Sequence, residues 1–246
     1  MTVKQKYLFF KENFESIARE LNLVMDTEYS IKLSKNNFNS SRPLLILKHK
    51  LRFPYPHTFT DDNLDYIKNK LKLSEMPCSK DAEVTTFGMG FDFDNDLYKI
   101  YCFLCSLSSP KQGVSPPHWL VNSYIKGFQV KNNSISSHRT YTVFTNSGEN
   151  NYDRYKKYRF LDKYDKFFNF HKFKCFFLRM NGNDAHSLHF ANNGRFDMTN
   201  IGKPIENFCD CYQWDKANII DFLKKTKFKN ITTLSFSSDE IYIYYK

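Results

Sequence analysis

The sequence predicts an α+β fold in which ten antiparallel strands close into a barrel with helices outside. Three observations carry this expectation. Five short runs rich in aromatic and β-branched residues each fold back onto a second such run through a turn of Asn, Asp, Gly or Ser. Stretches with apolar residues at helical spacing precede several of these hairpins, so a helix-plus-hairpin unit recurs roughly every 45–50 residues, a period that marks repeated architecture. The clearest hairpin, 84–104, alternates between a wholly apolar face and a face that mixes rings with a lysine. Hairpin strands pair antiparallel because a short turn cannot make a parallel crossover. Ten such strands with helices on one face lose their edges by closing, and a barrel of that size is wider than side chains fill. A ligand chamber is therefore expected, with an open sheet as the rival arrangement.

Composition sets the outer limits. The chain has 246 residues, 41% hydrophobic and 25% charged, which is ordinary for a globular protein and long enough for one large domain or two small ones; the repeat favours one domain over 1–246. No apolar run reaches membrane-spanning length. The opening MTVKQKYLFFKENF carries charges inside its apolar part and has no cleavage site, so it does not read as a signal peptide, and the cytoplasm is the expected location. The net charge of +10 points to nucleic acid or to an acidic small molecule. Beyond Lys224-Lys225-Thr226-Lys227 there is no basic run, and the cations are scattered through strands and helices. Scattered inward cations suit a phosphorylated small molecule better than a polynucleotide.

Taken in order, Phe10, Phe14, Ile17 and Leu21 put an amphipathic helix over 3–23. Two strands, Glu28–Leu33 and Leu44–Lys50, follow, with Asn36, Asn37, Asn39, Ser40 and Ser41 between them as turn. Asp61-Asp62 cap a second helix whose stripe is Leu64, Ile67 and Leu71. The hairpin 84–104 turns at Asp94-Asn95-Asp96. A short helix is expected around Trp119–Ser123, then strands Ile125–Lys131 and Arg139–Phe144, then a Tyr/Lys-rich helix over 153–168. The fourth hairpin is Lys174–Met180 with His186–Ala191. A helix from about Asp215 to Lys225 leads to the fifth, Ile231–Phe236 with Ile241–Tyr245.

Six cysteines include Cys102/Cys105 and Cys209/Cys211 at metal-like spacings. In a strand over 97–104, Cys102 and Cys105 face opposite ways, so the expectation is buried reduced thiols and no zinc site.

With the repeat laid out, the chain resembles the ABBA-fold prenyltransferases, and among them the peptide prenyltransferases of cyanobactin biosynthesis. The residues carrying the resemblance are Glu28-x-Ser30-x-Lys32 and Ser41-Arg42-x-Leu44-Leu45, Gly90-Phe91-Asp92 with the Lys99 strand, and Val121-Asn122 with Ile125-x-Gly127-Phe128 and Tyr141. They continue with Phe176-Phe177, Arg195-x-Asp197-x-Thr199-Asn200 and the final Ile241-Tyr242-Ile243-Tyr244-Tyr245-Lys246. The resemblance implies transfer of an allylic group from its diphosphate to a peptide acceptor, by ionisation among aromatic rings.

Cations hold the leaving diphosphate, Arg through its fork and Lys as a point charge, while ring faces stabilise the allyl cation by roughly 0.5–2 kcal/mol each. Matching position and strand parity, the diphosphate end takes Arg42, Lys99, Tyr101, Arg139, Tyr141, His189, Tyr242 and Tyr244. His189 stands where the family tends to have a tyrosine, and Arg139 rests on parity alone. Glu28 matches the acidic residue near the acceptor, which takes or orients the proton of the alkylated group. Phe177 matches a position whose bulk limits prenyl length, favouring dimethylallyl diphosphate. The resemblance also implies Mg2+, and because the sequence has no DDxxD pattern the ion is expected to be held mainly through the diphosphate, with no metal-ligand set of the protein's own. The rival readings are a prenyltransferase of small aromatic metabolites and a non-catalytic nucleic-acid-binding module.

Overall fold

The computed structural model describes residues 2–35, 37–50, 58–77, 83–105, 123–131, 134–145, 175–181, 184–196, 198–226, 228, 230–237 and 240–246. These residues form an α+β fold of four helices and curled antiparallel sheet. They group into two compact units, one of residues 1–28 and 42–142 and one of 29–41 and 143–246. The expected helices around Trp119–Ser123 and over 153–168 fall outside the described residues, except that Ser123 begins a strand.

The first unit starts with helix α1, Val3–Glu20. Thr2 caps it, accepting from Gln5 N, while the Gln5 side chain accepts from Thr2 N, so two unsatisfied donors of the first turn are closed. The helix stops at Leu21 because Asn22 takes a left-handed φ of 51°. Strand β1, Leu23–Ser34, begins five residues earlier than expected and belongs to both units. Strand β2, Asn37–His49, takes in Asn37, Asn39, Ser40 and Ser41, which the sequence reads as turn, while Asn36 lies outside the described residues. Helix α2 is Asp61–Lys70; its cap is Thr60, not Asp61-Asp62, whose carboxylates lie in the first turn and favour the positive end of the dipole.

Strands β3, Glu83–Asp92, and β4, Leu97–Cys105, form the expected hairpin; β5 is Ser123–Lys131 and β6 is Ser134–Thr145. Pairing runs β2-β3-β4-β5-β6, all antiparallel. One face of this sheet is the core. Tyr98, Ile100, Cys102 and Leu104 of β4 are buried with Phe87, Met89 and Phe91 of β3 against Phe10, Phe14 and Ile17 of α1 and Ile67 of α2. The turn between β3 and β4 also holds α1 directly, because Asp96 Oδ1 accepts from Val3 N at 2.9 Å.

The second unit pairs β1-β10-β9-β8-β7, where β7 is Cys175–Asn181, β8 is Asp184–Phe196, β9 is Ile231–Phe236 and β10 is Glu240–Tyr245. Ile31, Leu33, Leu188, Leu234, Phe236, Ile241 and Ile243 form its core face. Two helices cover that face: α3, Met198–Tyr212, which the sequence reading does not assign, and α4, Lys216–Thr226. Helix α3 tolerates Pro204 because Ile205, Phe208, Cys209 and Tyr212 keep an apolar stripe on the sheet.

Among the described residues, one cysteine departs from expectation. Cys102 is disulfide-bonded, so the reading of reduced thiols throughout is corrected. Cys209 and Cys211 are free, one buried and one exposed, and residues two apart on a helix do not converge on an ion. Burial, with Asp210 beside it, pushes the Cys209 thiol up to about 11.

Candidate functional site

Opposite the helix-covered face, the sheet of the first unit carries a different chemistry. Antiparallel register puts directly paired residues on the same side. Asp92 pairs with Leu97, and Arg42, two residues before Leu44 on β2, reaches Asp92 from the same side; the next row is Leu44, Gly90, Lys99 and Gln129. Then comes Ile46, Gly88, Tyr101, Gly127 and Arg139, and after it Thr86, Phe103, Ile125 and Tyr141. Arg42, Lys99, Tyr101, Arg139 and Tyr141 therefore share one face, as the alternation suggests. Arg139 is exposed, Lys99 and Tyr101 are half-buried and Tyr141 is buried.

The charges on this face are organised. Arg42 Nη2 lies 2.9 Å from Asp92 Oδ2, and both side chains are about one-tenth exposed. Asp92 is fixed in turn by the Asn95 amide, through N at 3.3 Å and Nδ2 at 2.9 Å. In β1, Asp26 pairs with Lys48 of β2 at 2.5 Å. Glu28 has the strand parity of Asp26 and is half-buried.

In the second unit the face away from the helices is also polar. Its register aligns Lys32, Tyr242, Ser235, His189 and Phe177, with Ser30, Tyr244, Thr233 and Ala191 in the adjoining row. The Phe177 side chain lies outside the described set, so only its place opposite His189 is given. His189 Nε2 lies 2.8 Å from Ser187 Oγ and 3.5 Å from Ser235 Oγ, all buried. Desolvation, and then the positive charge of Arg179, hold the His189 imidazole down near 3, so it is neutral at physiological pH and carries an N–H and no charge. Glu240 joins two neighbours: Lys32 forms an ion pair with it, and the Tyr242 hydroxyl donates to Oε2 at 2.8 Å. The Tyr242 and Tyr244 rings stack with centroids 6.4 Å apart.

No family model and no curated protein matches the chain.

Several residues that complete these arrangements were not named from sequence as site residues. Asp92 reads as a turn residue until register brings it to Arg42, across fifty positions of chain. Lys48, Asp26 and Glu240 are likewise visible only through pairing. Ser187 is different, because its place two residues before His189 on a strand puts both on one face, and that signal was in the sequence.

Two of the carboxylates on the first unit's face are already occupied by cations, Asp92 by Arg42 and Asp26 by Lys48. That donor set does not fit a Mg2+ ion gripped by the protein, which needs oxygen ligands near octahedral geometry. Among the described residues no group of three or more His, Cys, Asp or Glu converges. Nor is any described helix long and apolar enough to cross a membrane.

Proposed function

We propose that the protein is a prenyltransferase of the ABBA type, moving a dimethylallyl group from its diphosphate to a side chain or terminus of a peptide. The observation that carries this reading is the mixed face of the first unit. Arg42, Lys99 and Arg139 stand there among Tyr101, Phe103 and Tyr141, on the side that α1 and α2 leave alone. A face of that make-up suits a dianionic head next to an allylic chain, where a plain second core would be uniformly apolar.

The reaction breaks the bond between the allylic carbon and the diphosphate oxygen. The electron pair leaves with the diphosphate, so cations already in place lower the barrier most. Lys99, in the row between Arg42 and Tyr101, is the residue assigned to that oxygen. Rings beside the allyl cation stabilise it and keep out the water that would quench it. The acceptor atom then bonds to the allylic carbon and gives up a proton, which Glu28 takes. Any Mg2+ travels with the diphosphate and is not given a place among the protein's carboxylates.

The same reading carries the finer fold expectation of five helix-plus-hairpin repeats closed as one ten-stranded barrel. It also carries Tyr242, Tyr244 and His189 as hydroxyl and N–H donors to the diphosphate, and a cytoplasmic location. Mass spectrometry of candidate peptides incubated with dimethylallyl diphosphate and Mg2+ tests it. A mass increment of one isoprene unit on a peptide supports it. Unmodified peptides and free amino acids, from protein that also fails to bind the donor, refute it. A salt-sensitive shift with random oligonucleotide would instead favour nucleic-acid binding.

A further inference from the structure

Tyr101 does not stand up from its sheet. A Cβ built on Gly127 would meet Tyr101 Cε1 at 3.0 Å and Cδ1 at 3.2 Å, and one built on Gly90 would meet Cε2 at 3.2 Å. The ring thus presses on the backbone of β5 along one edge and of β3 along the other. Carbon atoms in ordinary contact stay about 3.5–4.0 Å apart, so any side chain at either glycine would lift or turn the ring. At Gly88, paired with Tyr101 in register, a Cβ would come only to 3.8 Å from Tyr101 Cβ, an ordinary contact, so the close approach is confined to Gly90 and Gly127. Leu44 Cδ1 lies 3.6 Å from the Gly90 Cβ position and Tyr141 Cε2 lies 3.5 Å from that of Gly127, so these two side chains close the cradle's ends.

The rows to either side give the cradle a direction. Lys99 and Gln129 stand one row before Tyr101, and Phe103 and Ile125 one row beyond it. Residues two apart on a strand are separated by about 6.8 Å. A chain tethered at Lys99 and running toward Phe103 therefore crosses the Tyr101 ring within its first isoprene unit. The height of that ring sets how much depth is left.

We propose that Gly90 and Gly127 act as a pair to lay the Tyr101 ring flat on the sheet, and that this ring is the surface that selects the length of the allylic chain. The proposal rests on the prenyltransferase reading and extends it to a second determinant of donor length, on a different strand from Phe177. The ring, not the hydroxyl, is the selecting element. Removing it opens room for a second isoprene unit; raising it takes away room for the first.

The test is titration calorimetry of the full chain with dimethylallyl and geranyl S-thiolodiphosphates, with melting curves as the folding control. Tyr101→Ala is expected to shift the ratio of affinities toward the geranyl analogue by tenfold or more. Tyr101→Phe, which keeps the ring, leaves that ratio within twofold even if both analogues bind more weakly. Gly127→Ala weakens the dimethylallyl analogue by tenfold or more, and adding Tyr101→Ala to it restores binding, because the clash is with the ring. If Gly127→Ala fails to fold, the two Tyr101 variants still decide. A wild-type protein that binds dimethylallyl thiolodiphosphate, with the ratio unchanged in Tyr101→Ala, overturns the proposal and leaves the parent reading standing. A folded wild-type protein that binds neither analogue removes both.

Discussion

The ion pair of Arg42 and Asp92 is the point at which the first unit's site can be tested without any substrate. Both side chains are nine-tenths covered, their closest approach is 2.9 Å, and Asn95 supplies two further hydrogen bonds to the carboxylate. Removing one partner of a buried pair leaves a charge without its counterpart and costs about 3–5 kcal/mol. Asp92→Ala falls in that range, with the Asn95 contacts adding to it. For a chain of this length each kcal/mol lowers Tm by about 2–4 °C, so the expected drop is roughly 6–20 °C.

Arg42→Met/Asp92→Ala, which removes both charges, should cost less than the sum of the single changes by about 3 kcal/mol. Urea titrations followed by circular dichroism give all four free energies, and a common m value keeps the cycle valid. Single changes that each cost under about 1 kcal/mol and simply add would mean the pair behaves as an exposed one, and the description of this face would be wrong.

Three further outcomes follow from the structure. Lys99→Ala is expected to lower turnover of dimethylallyl diphosphate by roughly a hundredfold or more through loss of leaving-group stabilisation, read by single-turnover mass spectrometry; retained turnover removes Lys99 from the site. His189 is held near 3 in the folded chain against an ordinary 6.5, so between these values the unfolded chain binds the extra proton and stability falls with falling pH. At 1.36 kcal/mol per pH unit, about 2 kcal/mol disappears between pH 6.5 and 5, and urea midpoints of His189→Asn should lack that slope. Asp96→Ala removes the acceptor of Val3 N and places alanine at a left-handed φ of 47°, for an expected loss of about 1–2 kcal/mol, whereas Asp96→Asn keeps most of the stability; calorimetric melting compares the two.

What the sequence made legible was local. The alternation over 97–104 reads correctly because a strand's period of two needs no knowledge of its neighbours. Tyr98, Ile100, Cys102 and Leu104 are buried under α1 as that alternation requires. Pairing across distance was not legible. Nothing in the sequence says that Arg42 meets Asp92, or that Lys48 meets Asp26, because each pair joins different strands and register is set by the pairing of whole strands. Strand lengths were underestimated where polar residues continue a strand, as at Asn37–Ser41 and Ser134–His138, since the residues that favour turns do not forbid an extended backbone. Helix α3 escaped because Gly202 and Pro204 read as breakers, while the apolar stripe that holds it is a tertiary fact. The flat Tyr101 ring was not legible: Gly90 and Gly127 enter the sequence reading only within the family resemblance, and a glycine inside a strand signals a close approach without saying what approaches.

A crystal structure of the chain with dimethylallyl S-thiolodiphosphate and Mg2+ weighs the whole reading at once. The diphosphate should lie within hydrogen-bonding distance of Lys99 Nζ, with the allylic carbons over the Tyr101 ring and the ten strands closed around them. An analogue bound elsewhere, or a Lys99 row turned to open solvent with no diphosphate on it, would end the prenyltransferase account.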